Sequence, residues 1–87
     1  MTEKRLSSLK NIGAKSEALL NQVGIYTVAD LDEIGAVGAW KRVKEIEPSA
    51  SLVGVYALQG GLMNIHWNAL PEDIKDDLRQ QWQADEL

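Results

Sequence analysis

Apolar residues along this chain recur at helical spacing, and no stretch alternates apolar and polar positions over a useful length. The pattern predicts an all-α fold, one compact domain over 1–87 made of five or six short helices. A first helix is expected over 2–8. A turn at 9–13 then leads into a second helix over 14–23, with Ala18, Leu19 and Val23 inward and Gly24 at the C′ position, where φ turns positive. Thr27-Val28-Ala29-Asp30 reads as a capping box with Asp in place of Glu, so a short third helix starts at Val28 and Gly35 ends it.

A fourth helix over 36–46 presents Trp40 and Val43 to the core, and Pro48 blocks extension beyond Glu47. Ser49 or Ser51 can cap the fifth, over 50–65. That segment is apolar nearly all round (Leu52, Val53, Val55, Tyr56, Leu58, Leu62, Met63), the pattern of a central buried helix. Gly54, Ala57 and Gly61 share a smooth face that admits a close neighbour, although each interior glycine costs about 1 kcal/mol relative to alanine. After a loop at 66–69, Pro71 suits the first position of a sixth helix, whose apolar stripe is Leu70, Ile74, Leu78 and Trp82. The last residues, 84–87, are expected to fray.

The turn at 9–13 is the one segment whose residue types suggest a chemical task. Asn11 and Gly13 are the side-chain types that most readily take positive φ, so the backbone can double back with its amides exposed at a helix start, where anions bind. Lys10 and Lys15 flank it, with Ser16 beside them. Leu9-x-x-Ile12-Gly13-Ala14 recurs as Leu31-x-x-Ile34-Gly35-Ala36, which suggests two turn-plus-helix units packed as duplicates. The second copy carries Asp32, Glu33 and Val37 where the first has Lys10, Asn11 and Lys15, so only the first could face a phosphate.

Charge sharpens this. The net charge of −4 argues against a protein that coats nucleic acid through its overall field. The distribution is uneven: residues 1–24 hold four basic and two acidic groups, a balance of +2, and the remainder hold five against eleven, −6. An anion would be met by the first third. A chain of 87 residues buries about 60 to 65% of its unfolded surface, enough for one core. The absence of cysteine excludes disulfides, thiolate metal sites and cysteine nucleophiles, and fits a reducing compartment. No apolar run reaches the roughly 18 residues of a membrane span and no signal-peptide pattern follows the early charges, so a cytoplasmic protein is expected.

Two other clusters read as structural. In Ile65-His66-Trp67-Asn68, Trp67 is expected to plug the core while His66 and Asn68 hydrogen-bond helix ends. A single histidine builds no metal site alone. Glu72, Asp73, Asp76 and Asp77 lack the spacing of a calcium loop and suit the first turns of a helix. Ser7-Ser8-Leu9-Lys10 matches a Ser-x-x-Lys pattern without the further motifs of the enzymes that use it. The reading is a non-enzymatic protein with no cofactor and no small-molecule substrate.

Leu9, Lys10, Asn11, Ile12, Gly13 and Lys15 resemble a helix-hairpin-helix motif. In that family the hairpin amides and the lysine contact a DNA phosphate without reading sequence. Asn11 stands where glycine is common, which puts a side chain where the backbone approaches the phosphate. Over its full length the chain resembles the C-terminal domain of the TfoX (Sxy) family of bacterial competence regulators. The matching pieces are Leu9 through Ser16, Val23-Gly24-Ile25-Tyr26-Thr27, Ile34-Gly35-Ala36-Val37, Tyr56-Ala57-Leu58-Gln59-Gly60 and Ile65-His66-Trp67-Asn68-Ala69-Leu70-Pro71. The resemblance implies a regulator of DNA uptake and transcription, as a stand-alone relative or an excised domain, since the family adds an N-terminal domain. The DNA backbone is one expected partner, touched through Lys10, Asn11, Gly13, Lys15 and Ser16. The competing expectation is a pure protein-interaction or self-association module, motivated by the acidic last two-thirds and by three tryptophans.

Overall fold

The structure, a computed structural model, describes residues 5–84, and these form five α-helices and two 3-10 turns. The helices are α1 (Ala14–Gln22), α2 (Val28–Ile34), α3 (Ala36–Ile46), α4 (Leu52–Met63) and α5 (Glu72–Gln83). The 3-10 turns are Leu6–Ser8 and Trp67–Ala69. The fold is all-helical, as the apolar spacing predicts.

Local chemistry sets most of the boundaries. Gly24, at φ +85°, closes α1 with a Schellman pair, Ile25 N–H to Leu20 carbonyl (3.0 Å) and Gly24 N–H to Asn21 carbonyl (3.1 Å). The Thr27 hydroxyl accepts the Asp30 amide at 3.1 Å while the Asp30 carboxylate accepts the Thr27 amide at 3.2 Å, so the capping box of α2 is complete. Gly35, at φ +86°, ends α2 and begins α3 in a single residue. Asn64 closes α4 in the left-handed conformation.

Three expectations are corrected. The first predicted helix, as far as it is described, is an extended Arg5 followed by a 3-10 turn. The Ser8 hydroxyl and amide both bond the Arg5 carbonyl, which draws the chain out of an α-helical ladder; residues 2–4 of that expectation lie outside the described residues, as do 85–87 of the expected frayed end. In α1 Leu19 and Val23 pack against the core half-buried, as expected, but Ala18 is exposed and the buried residues are Glu17 and Leu20. The α4 helix is shorter than expected and not buried all round. It packs against α3, α5 and the second 3-10 turn, which leaves Val53 49% and Met63 39% exposed.

The core gathers Leu6, Ile12, Leu20, Ile25, Leu31, Val43, Val55 and Leu58, joined by Trp40 and Trp82. Leu70, Leu78 and Trp82 are buried along the predicted stripe of α5, with Ile74 half-buried. The end of α5 is tied to α3: the Lys44 ammonium lies 5.1 Å from the Trp82 ring centroid, and Lys41 donates to the Gln81 carbonyl at 2.9 Å. Gly54 is the seat of Trp40. A Cβ placed there would fall 2.2 Å from the indole ring, so the glycine lets the neighbouring α3 approach through the flat face of its tryptophan.

The 3-10 turn at the N-terminus is fixed to α1 through Glu17, a residue 7% exposed. Its carboxylate accepts Arg5 Nη2 at 2.8 Å and the Ser7 amide at 3.0 Å. These donors, Arg5 foremost, hold the Glu17 carboxyl below the usual carboxylate range.

Replacing Gly54 by alanine should destabilise the domain by about 1–3 kcal/mol in urea denaturation, because the overpacked indole must shift. At an open helical site the same change would stabilise by about 1 kcal/mol, so the sign alone checks the packing. The depressed Glu17 carboxyl contributes stability that is present above the ordinary carboxylate range of about 4 to 4.5 and is lost as pH falls through its lower folded value. Glu17→Gln should therefore be less stable at pH 7 and show a shallower acid loss. Urea midpoints between pH 7 and pH 3 provide the check.

Candidate functional site

Residues 9–13 form a tight turn, with the Ile12 amide donating to the Leu9 carbonyl at 3.3 Å, and the turn is clamped onto the end of α4. Asn11 takes φ +71°, as its residue type allows, and turns its side chain inward. Its Nδ2 donates to the Ile65 carbonyl at 3.0 Å and the Ala57 carbonyl at 3.3 Å, and its Oδ1 accepts the Trp67 amide at 3.2 Å. One amide side chain thus joins the hairpin to α4 and to the second 3-10 turn.

The clamp needs a close approach that only glycine permits. A Cβ at Gly60 would lie 2.7 Å from Asn11 Nδ2 and 2.8 Å from the Ile65 carbonyl oxygen. One at Gly61 would lie 2.8 Å from the Lys10 carbonyl oxygen. The smooth face of α4 therefore receives a loop backbone at its C-terminal end and an indole at its N-terminal end.

Turned inward, the Asn11 side chain leaves the outer face of the hairpin to Lys10, Gly13 and Lys15, all exposed, with Ser16 half-buried. Gly13 is the N-cap of α1 and supplies no side-chain cap; a Cβ built on it meets nothing within 4 Å. The first intrahelical bond is Glu17 N–H to Gly13 carbonyl at 3.0 Å, so the amides of the first turn open α1 without a capping side chain. Lys15 is not alone there. It borders a recess with Glu47 and Ser49, and the Ser49 hydroxyl and amide, helped by the Lys15 charge, hold the Glu47 carboxyl below its usual range.

The second copy of the hairpin sequence is not a structural duplicate. Its positive φ lies at Gly35, which corresponds to Gly13, whereas Gly13 is extended at φ −99° and the positive φ of the first copy lies at Asn11. Four shared residue types thus accompany two different turns. Trp67 is half-buried and outside the core; its backbone amide, bonded to Asn11, is what matters. His66 is exposed, stacked on Trp67 at 6.0 Å, and its Nδ1 accepts the Asn68 amide at 3.1 Å. Among the described residues no group of three or more His, Asp or Glu side chains could hold a metal ion, and no helix is long and apolar enough to cross a membrane.

Asn11→Gly keeps the backbone conformation and removes three hydrogen bonds, so it should cost about 2–4 kcal/mol. Asn11→Ala should cost about 1 kcal/mol more, because alanine also resists the left-handed region. Equal losses in chemical denaturation would contradict the assigned backbone role.

With this geometry in view, three comparisons place the chain. The family model of the TfoX C-terminal domain matches residues 2–82. Protein Sxy of Escherichia coli (strain K12) is 34% identical over 86 residues, which is 99% of this chain but 40% of Sxy, so the chain spans two-fifths of that relative's length. An uncharacterized protein from Listeria monocytogenes, solved in a triclinic crystal form, is similar at 35% identity and TM-score 0.86, over 92% of this chain and 91% of the other. A protein of unknown function from the same organism, solved in a tetragonal form, gives 35% identity and TM-score 0.83, over 90% and 96% of the two chains. Sequence and fold agree over nearly the whole length, and the chain belongs to the TfoX C-terminal domain family.

Proposed function

We propose that this chain is a non-enzymatic, cytoplasmic regulatory domain of bacterial competence whose hairpin edge touches the phosphate backbone of DNA. Family membership supports the regulatory role. The observation that carries the DNA contact is the outer face of the hairpin: the uncapped start of α1 at Gly13, flanked by the exposed Lys10 and Lys15. Lys10 and Lys15 supply charge, Gly13 allows backbone approach, and Ser16 adds a hydroxyl at the rim. Asn11 contributes by holding the turn in place, since its side chain is committed internally.

The contact is small. Two lysines, one of them beside Glu47, in a chain of net charge −4 engage about two phosphates and read no bases. Protein contact is the second reading, favoured by the acidic balance of residues 25–87.

Titrating a short duplex into isotope-labelled protein at low salt should shift amides within 10–16, with a slope of log affinity on log salt of about −2. Lys10→Gln combined with Lys15→Gln should abolish the shifts while leaving the rest of the spectrum in place. An unchanged spectrum at high duplex concentration would overturn the DNA contact and leave protein contact as the mode of regulation.

A further inference from the structure

A groove of about 490 Å³ lies between the α2–α3 junction and α5, within the size range of small-ligand sites. Its floor is apolar, with Val37 and Leu78 buried and Ile74 half-buried. Its rim carries Gln59, Asp73 and Asp77. The two aspartates are one helical turn apart on α5, and both are exposed. Asp73 accepts the amide of its neighbour Ile74 at 3.0 Å, and Asp77 accepts the Gln81 side-chain amide at 2.7 Å. Among the described residues neither has a cationic partner, in contrast to Asp76 beside Arg79 and Glu17 beside Arg5. The cations closest in sequence are committed elsewhere: Arg79 is paired with Asp76, and Lys75 lies over the Tyr56 ring at 5.8 Å. The opposite wall is the α2–α3 junction, with Ile34, Gly35 and Val37.

We propose that this groove docks a short basic segment of a partner protein, an apolar side chain on the floor and a lysine or arginine against Asp73 and Asp77. Charge complementarity selects this occupant. The two carboxylates repel a nucleic-acid backbone, and in a second copy of the chain, of net charge −4, the basic residues of the first third lie on a turn already clamped to α4 rather than on a free segment. The site uses none of the hairpin residues, so it stands or falls independently of the DNA contact.

The probe is the blocked tripeptide acetyl-Arg-Leu-Arg-amide, titrated into the isotope-labelled chain at low salt. Amide shifts are expected at 35–38 and 73–78, together with the Gln59 side chain. Asp73→Asn combined with Asp77→Asn should weaken binding about tenfold or more, whereas Asp32→Asn combined with Glu33→Gln, on another acidic stretch, should leave it unchanged. Gln81→Lys is a second variant: it places a neutralising ammonium four residues from Asp77 in a pairing that favours the helix, and it should weaken binding likewise. The acidic counterpart acetyl-Glu-Leu-Glu-amide should produce no shifts. Absence of shifts with the basic peptide, shifts confined to other residues, or undiminished binding by the folded variants would overturn the proposal. Groove shifts produced by duplex DNA, or by raising the concentration of the chain alone, would overturn it in favour of those occupants.

Discussion

The structure depends on one side-chain amide meeting three backbone groups. Asn11 lies 46 to 56 residues from its partners in the chain, yet it bonds the carbonyls of Ala57 and Ile65 and the amide of Trp67. The Ile65 and Trp67 groups belong to the irregular segment beyond α4, where helical hydrogen bonding has ended. Partly buried backbone groups left without a partner there would each carry a desolvation cost of about 1–3 kcal/mol. The clamp settles them, and in doing so it fixes the turn that delivers α1.

Everything else in the N-terminal third is arranged around that approach. Gly60 and Gly61 remove the side chains that would hold the hairpin away from α4. Ile12, 4% exposed, enters the core beside them. Glu17 closes the other side by binding Arg5 and the Ser7 amide, so the segment before the hairpin is tied to the helix after it. The structural consequence is a division of faces: the Asn11 side chain, which fixes the turn, points inward, and the lysines and the helix start remain outside. For the phosphate contact proposed above, such rigid placement would matter, because a contact of so few charges has little binding free energy with which to order a floppy loop.

Much of this architecture was legible locally. The range of α3 follows from Gly35 before it and Pro48 after it, and the capping box at Thr27 and Asp30 announces α2 through side chains three residues apart. The conformations of Gly24 and Asn11 follow from residue type. What stayed hidden was long-range. The small residues of α4 predict close approach but not what approaches, and the visitors are an indole and a loop backbone. The inward turn of the Asn11 side chain is set by carbonyls far along the chain, which no local pattern encodes. Glu17 reads as one more surface acid until the 3-10 turn folds over it. The exposure of Val53 and Met63 likewise reflects how many neighbours surround α4, not the hydrophobicity of the helix itself.

If the hairpin is held by Asn11 seated over Gly60, the two positions must be energetically coupled. The most direct measurement is a double-mutant cycle of Asn11→Gly and Gly60→Ala, read by urea denaturation. An added methyl at Gly60 collides with the Asn11 amide as well as with the Ile65 carbonyl, so removing the amide first should relieve part of the clash. The account predicts that the double variant loses less stability than the sum of the two single losses, by about 1 kcal/mol or more. Additivity within about 0.3–0.5 kcal/mol, the behaviour of independent sites, would contradict it.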